Sequence, residues 1–243
     1  MTPPTLVEVA GLVKDHQALR PLRMRALAVS PGDVVAISGI DALGAEAFVH
    51  LVTGAMLPDA GVVRLFGQDT RAIPDGDSWL QLLEGLGMLS SRAVLIEMFS
   101  AMQNIAMPFT LNVDPVDPHV VPQASALARE AGLGDEWLDV PVSNLAPDVR
   151  MRIHLARALA LSPRLLIAEH PTAELARGTV AGFAADLGRV ARDRGLGLIA
   201  LTADEEFARA LGGTRLKLEP ATGEWRKGSG GFWEVLKGAG GFS

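Results

Sequence analysis

The chain of 243 residues contains no cysteine, which excludes disulfides and cysteine metal sites and suits a reducing compartment. It has no excess of basic charge either. Its formal net charge is -6 and its isoelectric point about 5.4, whereas general nucleic-acid binders are usually basic. No apolar run reaches the ~18 residues needed to span a bilayer. The opening MTPPTLVEVAGLVKDH lacks a basic segment followed by a long apolar core, so no secretory signal is expected. No internal repeat is visible. These absences leave a soluble cytoplasmic protein as the expectation, one that reaches a membrane only through a partner.

What is present is a chain able to build a core. Hydrophobic residues make up 49% and charged residues 21%. The length fits one α/β domain with room for a small subdomain. Residues 5–10 (TLVEVA) and 22–29 (LRMRALAV) alternate in part and read as strands. VVAIS at 34–38 suits a buried strand, and VVRLF at 62–66 another, entered through the turn PDAG. An Asp-capped helix follows within IPDGDSWLQLLEGLG, then a short strand in GMLS at 87–90. Residues 92–136 hold two helical patterns split by NVDPVDPHVVP. A further helix starts at APDVRMRIHLARALAL, with Pro147 and Asp148 in its first turn. The strand PRLLIAEHP, a helix over 178–194 and the strand GLGLIALT complete an alternating pattern. Such alternation predicts a mainly parallel sheet with flanking helices. GEWRKGSGGFWEVLKGAGGFS reads as a loose or partly docked tail.

One loop carries a contradiction. In SGIDALGAEAF, residues 38–48, Gly39 and Gly44 are spaced as in the phosphate-binding loop GxxxxGK[ST]. Ala45 stands where the lysine belongs and Glu46 where the hydroxyl belongs. A helix N-terminus offers amides and the positive end of a dipole. A carboxylate there takes up that field and repels a phosphate. Glu46 is therefore expected in the phosphate position, accepting hydrogen bonds from loop or first-turn amides.

Taken in order, the segments resemble the ATP-binding cassette (ABC) nucleotide-binding domain over about residues 5–220. LVTGAMLPDAGVVRLFGQDT is similar to that family's helix end, Pro-Asp turn and Gly-punctuated hairpin. MQNIAMPF at 102–109 resembles the start of its helical subdomain. RMRIHLARALALSPRLLIAEHPTAEL at 150–175 resembles its signature helix and second acidic strand. The resemblance implies a P-loop NTPase-like α/β cassette, with a mainly parallel core sheet, an N-terminal antiparallel β part and an inserted helical subdomain. The implied division is 1–91 with 161–220 for the core, 92–160 for the helical subdomain and 221–243 for the tail. It further implies ATP with Mg²⁺ as cofactors, pairing as homodimer or heterodimer, an integral membrane permease as partner and no nucleic acid. The location implied is cytoplasmic, at the inner face of the membrane.

The resemblance also assigns roles that the residues here do not carry. The metal-binding aspartate aligns with Glu169 and the general-base glutamate with His170. The glutamine after the third strand aligns near Ser91, the switch histidine with Ala203, and the adenine-stacking aromatic with His16. The signature becomes Leu145, Ala146, Pro147, Asp148, Val149, which loses the serine hydroxyl, loses an amide hydrogen at Pro147 and gains a negative charge at Asp148. Scaffold positions such as Gly54, Pro58, Gly61, Gly67, Arg157 and Pro171 still match. Each substitution also has a plain structural reading. Glu46 is a good first-turn helix residue, His170 a strand-end histidine, Pro147–Asp148 an ordinary helix start, and Glu169 a structural acid bonded to the phosphate loop.

Their joint occurrence points to a degenerate cassette with weak or absent Mg-ATP binding and little or no hydrolysis. Both composite sites of a dimer would be impaired, since loop and signature are altered together. MQNIAMPF looks most like cassettes of lipid, lipoprotein and macrolide export or extraction systems. In the family a permease docks beside the position of Ser91, and AVLIEMFSAMQNIAMPF there carries three methionines and two phenylalanines, which suits an adaptable apolar groove. Two alternatives stay open. One is a working ATPase with relocated chemistry, using Glu169 and His170 as metal and water ligands and Arg150 or Arg152 in place of the lysine. The other is a soluble regulatory scaffold.

Overall fold

In this computed structural model, residues 5–90 and 92–226 are described. The chain opens with two alternating strands, β1 (Val7–Lys14) and β2 (Leu22–Val29), paired antiparallel from Val7 opposite Val29. Then come β3 (Val34–Ser38), α1 (Ala42–Thr53), β4 (Ala60–Leu65), the short β5 (Gln68–Asp69), α2 (Gly76–Glu84) and β6 (Leu86–Ser90). Three helices follow without an intervening strand: α3 (Ala101–Ala106), α4 (Val121–Glu130) and α5 (Pro147–Ala158). The chain then alternates through β7 (Leu165–Glu169), α6 (Arg177–Arg194), β8 (Gly197–Leu201), α7 (Glu205–Leu211), β9 (Thr214–Glu219) and β10 (Glu224–Arg226).

Two sheets result. A four-stranded antiparallel sheet has the order β2-β1-β4-β5, and a six-stranded sheet the order β10-β9-β3-β8-β7-β6. In the larger sheet every pairing from β9 to β6 is parallel, and β10 alone runs antiparallel, on β9. The central strands β7 and β8 are buried at every residue, as expected for parallel strands covered on both faces. Strand periodicity sorts their side chains into two cores. Val35, Ile37, Leu165, Ile167, Ile199 and Leu201 face α1 and the antiparallel sheet. Ala36, Leu166, Ala168, Leu198 and Ala200 face the helical side with α3 to α7.

Local signals account for the helix starts. Asp75 caps α2 through the Ser78 amide at 2.8 Å. Ser100 and Gln103 form a reciprocal capping box on α3, and proline opens α5 at its first turn. Asn104, fully buried on α3, fastens the preceding segment. Its side chain accepts from the Ile96 amide at 2.9 Å and donates to the Ile96 carbonyl at 3.1 Å.

The region expected to be a loose or partly docked tail from residue 221 starts with a docked strand. Glu224–Arg226 adds a strand to β9, and the Trp225 indole donates to the Ala26 carbonyl at 2.6 Å. The Arg25 amide also donates to Gly223 at 2.8 Å. A single tryptophan supplies the anchor in this glycine-rich stretch. Residues 227–243 lie outside the described residues. α7 was also unanticipated, although Asp204 caps it through the amides of Glu206 and Phe207.

Replacing Asn104 by leucine strands a part-buried amide and carbonyl at Ile96. This substitution is expected to cost about 2–3 kcal/mol of stability, read as a lower urea midpoint.

Candidate functional site

The C-terminal ends of β3, β6, β7 and β8 converge along one edge of the parallel sheet, where ligands of open α/β sheets usually bind. Beyond β3 the chain turns at Gly39, whose φ is 85° and where a side chain would place Cβ 2.2 Å from the Leu218 carbonyl oxygen. Only glycine fits there. α1 then begins at Ala42, two residues earlier than Gly44, the motif's second glycine. Asp41 is its N-cap, and its carboxylate accepts from the Gly44 amide at 2.7 Å. Gly44 gives room for Ile40 to fold inward. A Cβ at Gly44 would lie 2.8 Å from Ile40 Cγ2 and 3.1 Å from Asp41 Oδ1.

The carboxylate at the loop amide is therefore Asp41, and the expectation for Glu46 is corrected. Glu46 turns instead toward Arg92, with Arg92 Nη1 at 2.8 Å from its Oε2. The sequence did carry the signal: Asp41 directly before an apolar helical pattern is an N-cap arrangement. The glycine spacing obscured it by suggesting a helix start at Gly44. Ala45 is fully buried, so no charged group stands at the lysine position.

Arg92 is the residue that sequence reasoning missed. It lies just past β6, and its second Nη donates to Glu169 Oε1. Glu169, at the end of β7, is 6% exposed. It also accepts from Ser90 Oγ at 3.3 Å, and Ser90 Oγ accepts the Arg92 amide at 3.2 Å. One guanidinium thus joins carboxylates from α1 and β7. The hydrogen bond to Glu169 is the main cause that raises the Arg92 pKa above its usual value, with burial opposing and Glu46 adding to it. Removing one partner of such a pair is costly, because the buried acid is left without compensation. Arg150 and Arg152, the cations expected near this site, are engaged elsewhere. Arg150 donates to the carbonyls of Val142 and Leu145, and Arg152 to Ala131 and Asp186.

The remaining site positions fall in distinct places. His170 follows Glu169 with a left-handed φ of 43°. Its amide donates to Leu201 at 2.9 Å, and its Nε2 is buried with no hydrogen-bond partner among the described residues. His16 lines a cavity of about 330 Å³ with Gly39, Asp41, Gly44 and Leu218, and its Nε2 is likewise buried and without a partner among the described residues. Ala203 lines a separate cavity of about 290 Å³ with Ser38 and Thr202. Ala146 is the N-cap of α5 without a side-chain bond, and Asp148 lies in its first turn. Pro147 shares a groove of about 260 Å³ with Arg92, Val94, His154 and Glu174. Of the expected methionine-rich surface, Met98 is exposed while Met102 is buried and Phe99, Met107 and Phe109 pack against the core. Ser91 lies outside the described residues.

This set does not fit a magnesium–triphosphate group. The Gly44 amide is taken by Asp41, position 45 is apolar, and the acidic strand end is paired with a guanidinium. Among the described residues no cluster of three or more His, Asp or Glu side chains could hold a metal ion.

Comparison with known proteins agrees with the architecture. A family profile described as ABC transporter matches residues 22–173. The lipoprotein-releasing system ATP-binding protein LolD of Geobacter metallireducens is 29% identical over 214 residues, covering 86% of this chain and 94% of that protein. LolD 2 of Caulobacter vibrioides is 31% identical over 185 residues, with 76% and 80% covered. Among solved structures, the ATP-binding cassette MJ0796, in a dimeric post-hydrolysis state bound to ADP and Pi, matches with a TM-score of 0.72 at 19% identity, over 91% of this chain and 98% of that one. The cassette cbiO1 from Clostridium perfringens gives a TM-score of 0.76 at 18% identity, over 92% and 88%. At these identities the likeness is one of fold.

His154, buried on α5, makes stability depend on pH. Burial foremost, and then the nearby Arg157, push its pKa from 6.5 down to about 4. The unfolded chain therefore binds the proton first. Stability is expected to be full above pH 6.5 and to fall by about 3 kcal/mol in all as pH drops toward 4. His154→Gln should remove that part of the slope in acid-unfolding curves.

Proposed function

The chain belongs to the ABC transporter family, and on that premise we propose that it is a cassette subunit that docks on a membrane permease and turns over little or no ATP. The observation that carries this reading is the Arg92 guanidinium held between Glu46 and Glu169. The family's ligand is ATP with Mg²⁺. Here a fixed internal cation sits against the acidic strand end, and an internal anion, Asp41, sits on the loop amide. Each charge-assisted hydrogen bond forgone is worth about 1.5–3 kcal/mol, and each ~1.4 kcal/mol is tenfold in affinity. Losing two such bonds moves a micromolar site to the millimolar range. The altered start of α5, with Pro147 and Asp148, gives a facing cassette nothing better, so the defect is shared by both sites of a dimer.

The similarity to lipoprotein-releasing cassettes supports an export or extraction system as the setting. No described helix is long and apolar enough to cross a membrane, so membrane association would come through the permease. The docking element in this reading is the helical region of residues 92–160, whose groove exposes Val94 and whose surface also exposes Met98.

A second reading has one observation in its favour. His170 has a left-handed backbone and, among the described residues, an unpartnered buried nitrogen beside Glu169, a state that costs energy and suits a functional group. On that reading Arg92, not Arg150 or Arg152, is the relocated cation.

Calorimetric titration with Mg-ATP and a phosphate-release assay separate the two. The expected result is a Kd weaker than about 1 mM and no turnover above background. Ala45→Lys alone should not restore turnover, because Arg92 still holds Glu169 and Asp41 still caps the loop. Hydrolysis by the unmodified protein that is lost on His170→Ala would establish the second reading instead.

A further inference from the structure

Residues 92–97 form a strap between β6 and α3. Toward the helices it is tied by the Asn104 side chain at Ile96, by Arg157 Nη1 to the Val94 carbonyl at 2.8 Å, and by the Ser143 amide to the Glu97 carbonyl at 2.9 Å. All three ties come from the helical side and move with it. Toward the sheet the strap is held differently. The amides of Arg92 and Ala93 donate to Ser90 at 3.2 and 3.1 Å, and beyond that short turn the tie is the Arg92 side chain on Glu46 and Glu169. The strap also forms one wall of the groove that contains Pro147, His154 and Glu174. Val94 on that wall is 78% exposed.

We infer that Arg92 is a built-in latch, whose guanidinium clamps the groove-lining strap to the loop helix and the acidic strand end. Two features make it a latch rather than one more surface pair. The partners come from α1 and β7, which meet only in the folded chain, and Glu169 is nearly buried. A planar guanidinium with two forked donors can serve both carboxylates at once, whereas an ammonium is a single point charge. Releasing it would free the groove wall from the sheet while Asn104, Ser143 and Arg157 still held it to the helices. The strap wall of the groove would then shift as a unit with α3 to α5. The inference goes beyond the transport reading and does not depend on it, because the latch acts in the isolated chain.

Hydrogen exchange on the purified full-length protein tests it. The Ala93 amide, hydrogen-bonded to the Ser90 carbonyl, reports on the sheet side of the strap, with the Ile96 amide on Asn104 and amides of β8 as internal references. Arg92→Gln is expected to speed exchange at Ala93 about tenfold while Ile96 and β8 stay unchanged. Arg92→Lys should fall between the two, and Glu46→Gln should have no further effect once Arg92 is replaced. Unchanged Ala93 exchange in Arg92→Gln, or a rise shared equally by Ile96 and β8, overturns the latch. If Arg92→Gln fails to fold, Arg92→Lys and Glu46→Gln carry the same comparison, and wild-type Ala93 protection in both of them overturns it. A chain that hydrolyses ATP yet loosens only its strap on Arg92→Gln keeps the latch and loses the low-turnover reading.

Discussion

A carboxylate buried at the end of a central strand must find a cation or lose its charge, since an ion in a low-dielectric interior is costly unless paired. Glu169 is in that position. Its neighbours on β7 are aliphatic and buried, so the cation has to come from across the sheet edge. Arg92 reaches it from the end of the adjacent strand β6, with Ser90 filling a second acceptor site. Much else follows from that pairing. The chain beyond Ser90 must leave the sheet in the direction that points Arg92 inward. The other half of the fork is then free for Glu46 on α1, so the loop helix, the acidic strand and the entry to the helical region share one charged centre.

The loop next to it obeys the same rule with opposite sign. A helix N-terminus has unpaired amides that need an acceptor. Asp41 provides one from one residue before the helix, which lets α1 begin inside the glycine motif. Ile40 packs inward over the space that Gly44 leaves. The loop amide and the acidic strand end, two groups that a triphosphate and its metal would engage, both have partners within the chain. An intramolecular partner needs no association entropy, so a ligand competing for these groups must first displace a contact that is always present.

The strand and helix framework was largely legible. VVAIS, PRLLIAEHP and GLGLIALT are short apolar runs bounded by turn residues, and they became β3, β7 and β8. The Pro-Asp start of α5 and the Asp cap of α2 are local signals, and local signals survive in a single sequence. The site was less legible, for two physical reasons. Asp41 was readable as a cap but stood inside a glycine motif whose spacing implied a later helix start. Arg92 had no local signal at all. Its importance depends on a long side chain crossing to two residues, 46 positions earlier and 77 positions later in the chain. Sequence proximity pointed to Arg150 and Arg152 instead, and their helix turns them toward carbonyls and Asp186. The docked strand at Glu224–Arg226 was hidden for a similar reason: its anchor is one indole in a glycine-rich stretch.

That indole has a consequence for the order of assembly. Trp225 reaches β2 of the antiparallel sheet across a sequence separation of 199 residues, and Gly223 accepts from Arg25 on the same strand. In the chain β2 precedes by far the residues that meet its Arg25 amide and Ala26 carbonyl. During vectorial synthesis β2 must therefore wait, with its Arg25 amide and Ala26 carbonyl on water, until β9 and β10 emerge. Long-range closures of this kind slow folding, because loop entropy is lost before the contact forms. The nascent cassette thus carries β2 without these partners through the making of every strand from β3 to β9, and the two sheets are fastened together at this point only after β10 is made.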